Sequence, residues 1–250
     1  WSTGETSQTI VVDESGNYNV DVNYSDHSLD VSNNNSLSYF GLSGELDVSQ
    51  TNNLTLTAWI MPQSFSTSGS FVVQHCGDVP GQSQFSLQIN EEGKIYFTSA
   101  GSQTTAGSFE SNGFIISNSS LPINEWSHVA LKYDGELFQI FINGAQDFEI
   151  YIEDQFPTNY FGGGYNGVFY GASLINNLFI GNNNSQNKPF DGLIDNLTLW
   201  DTSLTEMDIL TLMECNIIDN DSGLIGAWNF NEGPSQNSIN DSSQNIGEII

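Results

Sequence analysis

Gly, Asn, Asp and Ser cut the chain into short runs of β-branched and aromatic residues, and that punctuation limits it to an antiparallel sandwich or barrel. Such runs span residues 9–13, 17–23, 36–40, 54–61, 70–75, 85–89, 94–99, 127–133, 137–142, 178–180, 192–200 and 224–229. In "LTLTAWIMP", Leu54, Leu56, Ala58 and Ile60 fall on one strand face and Thr55, Thr57, Trp59 and Met61 on the other, because side chains alternate along extended backbone. Asp134-Gly135 and Asn143-Gly144 accept the positive φ of tight turns and mark two reversals. One helix signal stands out. Ser203 with Glu206 three residues on reads as a capping box, and Leu204, Met207, Leu210 and Leu212 or Met213 recur at helical spacing to about Cys215. That stripe should pack on the sandwich. The expected class is therefore all-β, an antiparallel two-sheet β-sandwich with one short helix. Residues 101–120, 154–176 and 182–189 read as long loops.

Charge narrows the partners. Lys94, Lys132 and Lys188 are the only basic side chains besides histidine, against 30 acids, for a formal net charge of -27. With so few cations to replace counterions, nucleic acid and anionic membrane surfaces are excluded as partners. The carboxylates either keep the protein soluble or attract Ca²⁺ or cationic partners. No apolar run approaches the roughly 20 residues needed to cross a bilayer, so no membrane insertion is expected. An export signal is expected upstream of Trp1. Cys76 and Cys215 either form one disulfide closing a long loop or stand as separate buried thiols.

Several segments occur in a recognisable order: "LTLTAWIMP" at Leu54, "FSLQINEEGKIYF" at Phe85, "LPINEWSHVALKYDGELFQIFING" at Leu121, "LFIGNNN" at Leu178, "FDGLIDNLTLWDTSLTEMDI" at Phe190 and "GLIGAWNFNEG" at Gly223. From Ser36 onward the chain resembles the laminin-G-like jelly-roll domains of the concanavalin-A-like lectin/glucanase superfamily. The resemblance implies two antiparallel sheets packed face to face. The opening "WSTGETSQTIVVDESGNYNVDVNYSD" resembles the closing strands of immunoglobulin-like repeats of bacterial surface proteins. The expected division is thus residues 1–31, a remnant of such a repeat or N-terminal strands of the sandwich itself, and 32–250, the laminin-G-like domain. "GLIGAWNFNEG" is expected to complete that domain.

Hydrolases of this superfamily carry two carboxylates at alternating positions of one strand. Here Glu91-Glu92 lie in a turn, Glu149 and Glu153 lack a Trp-rich strand, and His27, His75 and His128 have no nucleophile motif, so no enzyme is expected. The resemblance makes calcium the expected ion. Its candidate ligands are Asp195 in "GLIDNL", Glu45 and Asp47 in "YFGLSGELDV", where Gly41 and Gly44 replace the acids of relatives, and Asp241. These carboxylates alternatively cap turns. "DNDSG" at Asp219 is not an EF-hand, because its twelfth position is Phe230.

For a ligand, "NYFGGGYNGVFYGASLINN" sets aromatic rings among glycines and amides, a composition that suits sugar rings or a protein surface. The expected contacts are Tyr160, Phe161, Tyr165, Asn166 and Tyr170, unless those rings fold back to pin an insertion. Trp59, Trp126, Trp200 and Trp228 are expected in the core. The functional expectation is a non-catalytic carbohydrate- or protein-binding (adhesion) module of a larger secreted or cell-surface bacterial protein, its partners a glycan or extracellular protein and its own flanking domains. A structural spacer is the alternative.

Overall fold

Strand β3 (Leu54–Pro62) lays Leu54, Leu56, Ala58 and Ile60 into the core at no more than 1% exposure, as the alternation requires. The computed structural model describes residues 27–32, 37–40, 48, 51, 53–77, 83–99, 115–151, 175–183, 185, 187–214, 222–231, 239–240, 243 and 248–249. Around β3 stand β1 (Leu29–Asp30), β2 (Leu37–Phe40), β4 (Ser70–Gly77), β5 (Ser83–Ile89), β6 (Lys94–Ser99), β7 (Ile116–Ser120) and β8 (Ser127–Tyr133). Then come β9 (Leu137–Ile142), β10 (Ala145–Tyr151), β11 (Ile175–Ile180), β12 (Gly192–Trp200), helix α1 (Glu206–Glu214), β13 (Leu224–Trp228), β14 (Ile239–Asn240) and β15 (Glu248–Ile249).

Among the described residues the strands form two large antiparallel sheets and a small β14–β15 pair. One large sheet has the order β1-β12-β3-β8-β9-β10, with β13 also on β12; the other has the order β2-β11-β4-β5-β6-β7. Their inner faces meet in one core that includes Phe85, Leu87, Phe97, Leu131, Phe138, Ile140, Ile180, Ile194 and Trp228. This is the all-β sandwich expected of the jelly-roll class. Strand β1 and the buried Val31 place residues 29–31 within the seven-stranded sheet and its core, and β13 brings "LIGAW" onto β12 of the same sheet. Residues 1–26, which carry the immunoglobulin-like resemblance, lie outside the described residues.

The two turns form as their residues demand. Asn143 and Gly144 both take positive φ, 51° and 76°, and Asp134 Oδ1 accepts the backbone N–H groups of Glu136 and Leu137. Two readings are corrected. The helix is capped by Thr205 and Asp208 rather than by Ser203 and Glu206. Thr205 Oγ1 accepts from the Asp208 N–H, while Asp208 Oδ2 accepts from the Thr205 N–H and hydroxyl. The Leu204 N–H is instead held by Thr55 Oγ1, which keeps that segment extended over the sheet. The shifted start turns Ile209 and Leu212 inward and leaves Met207 at 69% exposure. The last part of the expected loop 101–120 is strand β7, whose polar "ISNSS" hides the strand signal. Asp147 of β10 secures it, its carboxylate accepting the N–H groups of Asn118 and Ser119.

Candidate functional site

The outer face of the seven-stranded sheet is built by residues that alternate away from the core. Register sets Asp195 of β12 opposite Trp59 of β3, and Trp59 opposite His128 of β8, in one row across the sheet. One step along, Leu193 lies opposite Met61, and Trp126 immediately precedes β8 on the same side. The other half of this face is covered by the chain after β12. Trp200, Leu212, Leu224 and Ala227 pack together there, and Ile209 packs with Ala130 and Phe141.

The uncovered half forms a groove of about 450 Å³ lined by Trp59, Trp126, Leu193, Asp195 and Asn196, with His27 and Ser28 along the β1 edge. Trp126 is 39% exposed and Trp59 half-buried. This corrects the expectation that both are core, which holds for Trp200 and Trp228 at 1% and 0%. The available signal was that Trp59 shares its strand face with Thr55 and Thr57, not with Leu54 and Leu56.

Two local features shape the groove. β12 breaks its register with β3 between Asp195 and Thr198, and Asn196 in that bulge takes a φ of 46°, a left-handed conformation that asparagine tolerates better than most residues. Asp195 Oδ1 accepts the Asn196 N–H at 2.8 Å, steadying the bulge, while Asn196 Oδ1 is buried with no hydrogen-bond partner. The His27 N–H donates to Asn231 Oδ1 at 2.9 Å and fixes the β1 edge.

Beside Trp59 on the neighbouring strand, His128 is 1% exposed and meets the indole edge to face, with centroids 5.4 Å apart at 61°. Its backbone is held on both sides by Asn143, which donates its N–H to the His128 carbonyl and accepts the His128 N–H on Oδ1. Burial away from water lowers the imidazole pKa to about 4, so the ring is neutral near neutral pH, and its Nδ1 has no hydrogen-bond partner.

A second groove of about 270 Å³ lies beside the β4 start, lined among others by Thr67, Ser68, Gln88, Asn90, Glu91 and Tyr96. The one aromatic ring among its described lining residues, Tyr96, is only 9% exposed and offers no open face.

Of the residues expected from sequence to bind a ligand or metal, Asp195 alone is described, and it lies in the larger groove. Tyr160, Phe161, Tyr165, Asn166, Tyr170, Glu45, Asp47, Asp241 and Cys215 lie outside the described residues, and Cys76 is described only as backbone of β4. Calcium needs six to eight oxygen ligands. Among the described residues no group of three or more His, Cys, Asp or Glu side chains could hold a metal, and the other three expected calcium ligands, Glu45, Asp47 and Asp241, lie outside them.

A laminin-G-type model of the concanavalin A-like lectin/glucanases superfamily matches residues 34–210. Among solved structures, a Bacteroides ovatus protein whose carbohydrate-binding role is itself a proposal superposes with a TM-score of 0.57 at 16% identity, covering 86% of this chain and 58% of that one. The chain thus spans less than two thirds of that protein's length. The heptameric SAP-like pentraxin of Limulus polyphemus gives 0.48 at 18% identity, over 72% of this chain and 76% of that one. Domain 4 of the extracellular arabinanase AbnA of Geobacillus stearothermophilus, in complex with arabinotriose, gives 0.45 at 22%, over 65% and 66%. No protein of curated function matches the sequence.

Proposed function

The chain belongs to the concanavalin A-like lectin/glucanases superfamily, and from that premise we propose that it is a non-catalytic carbohydrate-binding module of an exported protein, with the Trp59–Trp126–Asp195 groove as its binding surface. The observation that carries the reading is the exposure of two indoles next to a carboxylate, an amide and a hydroxyl on the part of the sheet face that helix α1 and the chain around it leave open. Apolar C–H faces of a sugar ring stack on indole, and its hydroxyls need partners that both donate and accept, which Asp195, Asn196 and Ser28 supply.

Glycoside hydrolysis generally takes two carboxyl groups flanking the scissile bond, and among the described residues Asp195 is the one carboxylate lining this groove, which favours the non-catalytic reading. The Bacteroides ovatus neighbour, at 16% identity, contributes the fold and not a ligand.

The test is a glycan array followed by calorimetry on the wild type, Trp126→Ala and Tyr165→Ala, each with and without a calcium chelator. Trp126→Ala should weaken binding by about thirtyfold, the loss expected of a central tryptophan anchor. A loss confined to Tyr165→Ala would move the site to the aromatic run of residues 159–177. Loss on chelation would assign calcium a role in binding. Absence of binding under every condition would favour the spacer.

A further inference from the structure

The groove's charge goes further and bears on the kind of sugar. Among the described lining residues Asp195 is the one acid and His27 the one accessible basic side chain. The three lysines lie elsewhere. Lys94 is 3.9 Å from Glu92 at the β5–β6 turn, and Lys188 sits 5.8 Å over the Phe71 ring of the other sheet. Lys132 pairs across β3 with Thr55, four residues from Trp59 and so roughly 13 Å along the strand. His128, beside Trp59 on the next strand and outside the groove lining, is held neutral by burial. Among its described residues the groove is therefore two π faces, one carboxylate and the His27 imidazole at its edge, with no lysine or arginine, within a chain of net charge -27.

An acidic sugar would bring its carboxylate against Asp195 with no Lys or Arg in the lining to receive it. A protonated amino sugar meets the opposite situation. Ammonium is attracted to the face of tryptophan and forms charge-assisted hydrogen bonds with carboxylate. We propose that the groove selects glycans carrying free amino groups, stacking the sugar ring on Trp126 and holding its ammonium between Asp195 and the indoles. This rests on the carbohydrate-binding reading above and adds the ligand's charge to it.

The experiment is calorimetry in mildly acidic buffer at physiological salt, where the amine is protonated. The ligands are equal-length oligomers of glucosamine, N-acetylglucosamine and galacturonic acid, with wild type, Asp195→Asn and Trp126→Ala proteins. Asparagine keeps an acceptor for the Asn196 N–H, so the bulge should survive the substitution. Wild type should bind the glucosamine oligomer about fivefold more tightly than the N-acetylated one, and the uronate weakest. In Asp195→Asn the fivefold preference should vanish while binding of the N-acetylated oligomer stays within about twofold, and Trp126→Ala should weaken both.

Equal affinity for the first two oligomers in wild type, still dependent on Trp126, would overturn the inference and leave the carbohydrate reading standing. A preference unchanged in Asp195→Asn would reveal diffuse attraction to an acidic surface and would overturn it too. If none of the three oligomers, nor any glycan on the array, binds, the carbohydrate reading falls with it.

Discussion

The two halves of the outer face of the seven-stranded sheet use the same strands and the same alternation, yet one half is closed and the other open. The bulge between Asp195 and Thr198 is the divide. Beyond it β13 flanks β12, and the chain around helix α1 covers the surface. Three hydrogen bonds tie polar side chains there, although the Thr202 hydroxyl is buried without a partner. Thr57 and Thr198 share a 2.7 Å hydrogen bond, Trp200 Nε1 donates to Thr198 Oγ1 at 2.8 Å, and Thr55 Oγ1 donates to the Thr202 carbonyl at 2.8 Å. Before the bulge the two-residue β1 takes the same edge, Trp126 meets solvent, and His128 Nδ1 and Asn196 Oδ1 go without partners. The contrast separates two uses of tryptophan on one face, one holding the fold and the other presenting a ring.

Replacing an indole in the closed half should have the largest effect. Trp200→Ala removes a side chain that is 1% exposed together with its bond to Thr198, and should cost about 3 to 5 kcal/mol in urea denaturation. A cost below about 1 kcal/mol would mean that the covering segment is not held by this core.

Beneath the open half, His128 should make stability depend on pH. The unfolded chain takes up this proton near the ordinary imidazole value of 6.5, the folded protein only near 4. Between those values the unfolded state binds more protons, so stability falls as pH drops from about 6.5 towards 4, by an amount on the order of 3 kcal/mol. His128→Gln should remove that dependence. Parallel pH curves for the two proteins would show that His128 is not held neutral.

What the residues declare in advance follows from how they are covered. β3 and β8 were legible because their inner faces are apolar at every second position, β12 because the same alternation holds on either side of its bulge, and the Asn143-Gly144 turn because few residues accept its φ angles. β7 was not, since its pairing is secured by a carboxylate from β10, a contact of long sequence separation. The groove was legible only in part. Asp195 came forward through its motif, but its place beside Trp59 depends on strand register, and the opening depends on where helix cover stops. A tryptophan in a strand reads as core unless its face is compared with its neighbours, and the threonines beside Trp59 point to the outer face.

The helix that closes one half rests on a local device, so its removal should have a moderate effect. Thr205→Ala deletes the cap hydroxyl that bonds Asp208, whose carboxyl is held below its usual pKa chiefly by that hydroxyl. It should cost about 1 kcal/mol, measured by thermal melting.

Trp126→Ala should have the smallest effect on folding, below about 1 kcal/mol, because the ring is already 39% exposed and packs at the end of β8 rather than between sheets. Its interest lies in the ratio of two measurements. In the closed half, loss of an indole should lower stability whether or not a ligand is present; here, loss of one should leave the melting temperature nearly unchanged and weaken glycan binding. If Trp126→Ala destabilises the protein as much as Trp200→Ala, the open half is simply a less completely covered part of the same packing, and the distinction between a structural and a presented tryptophan fails.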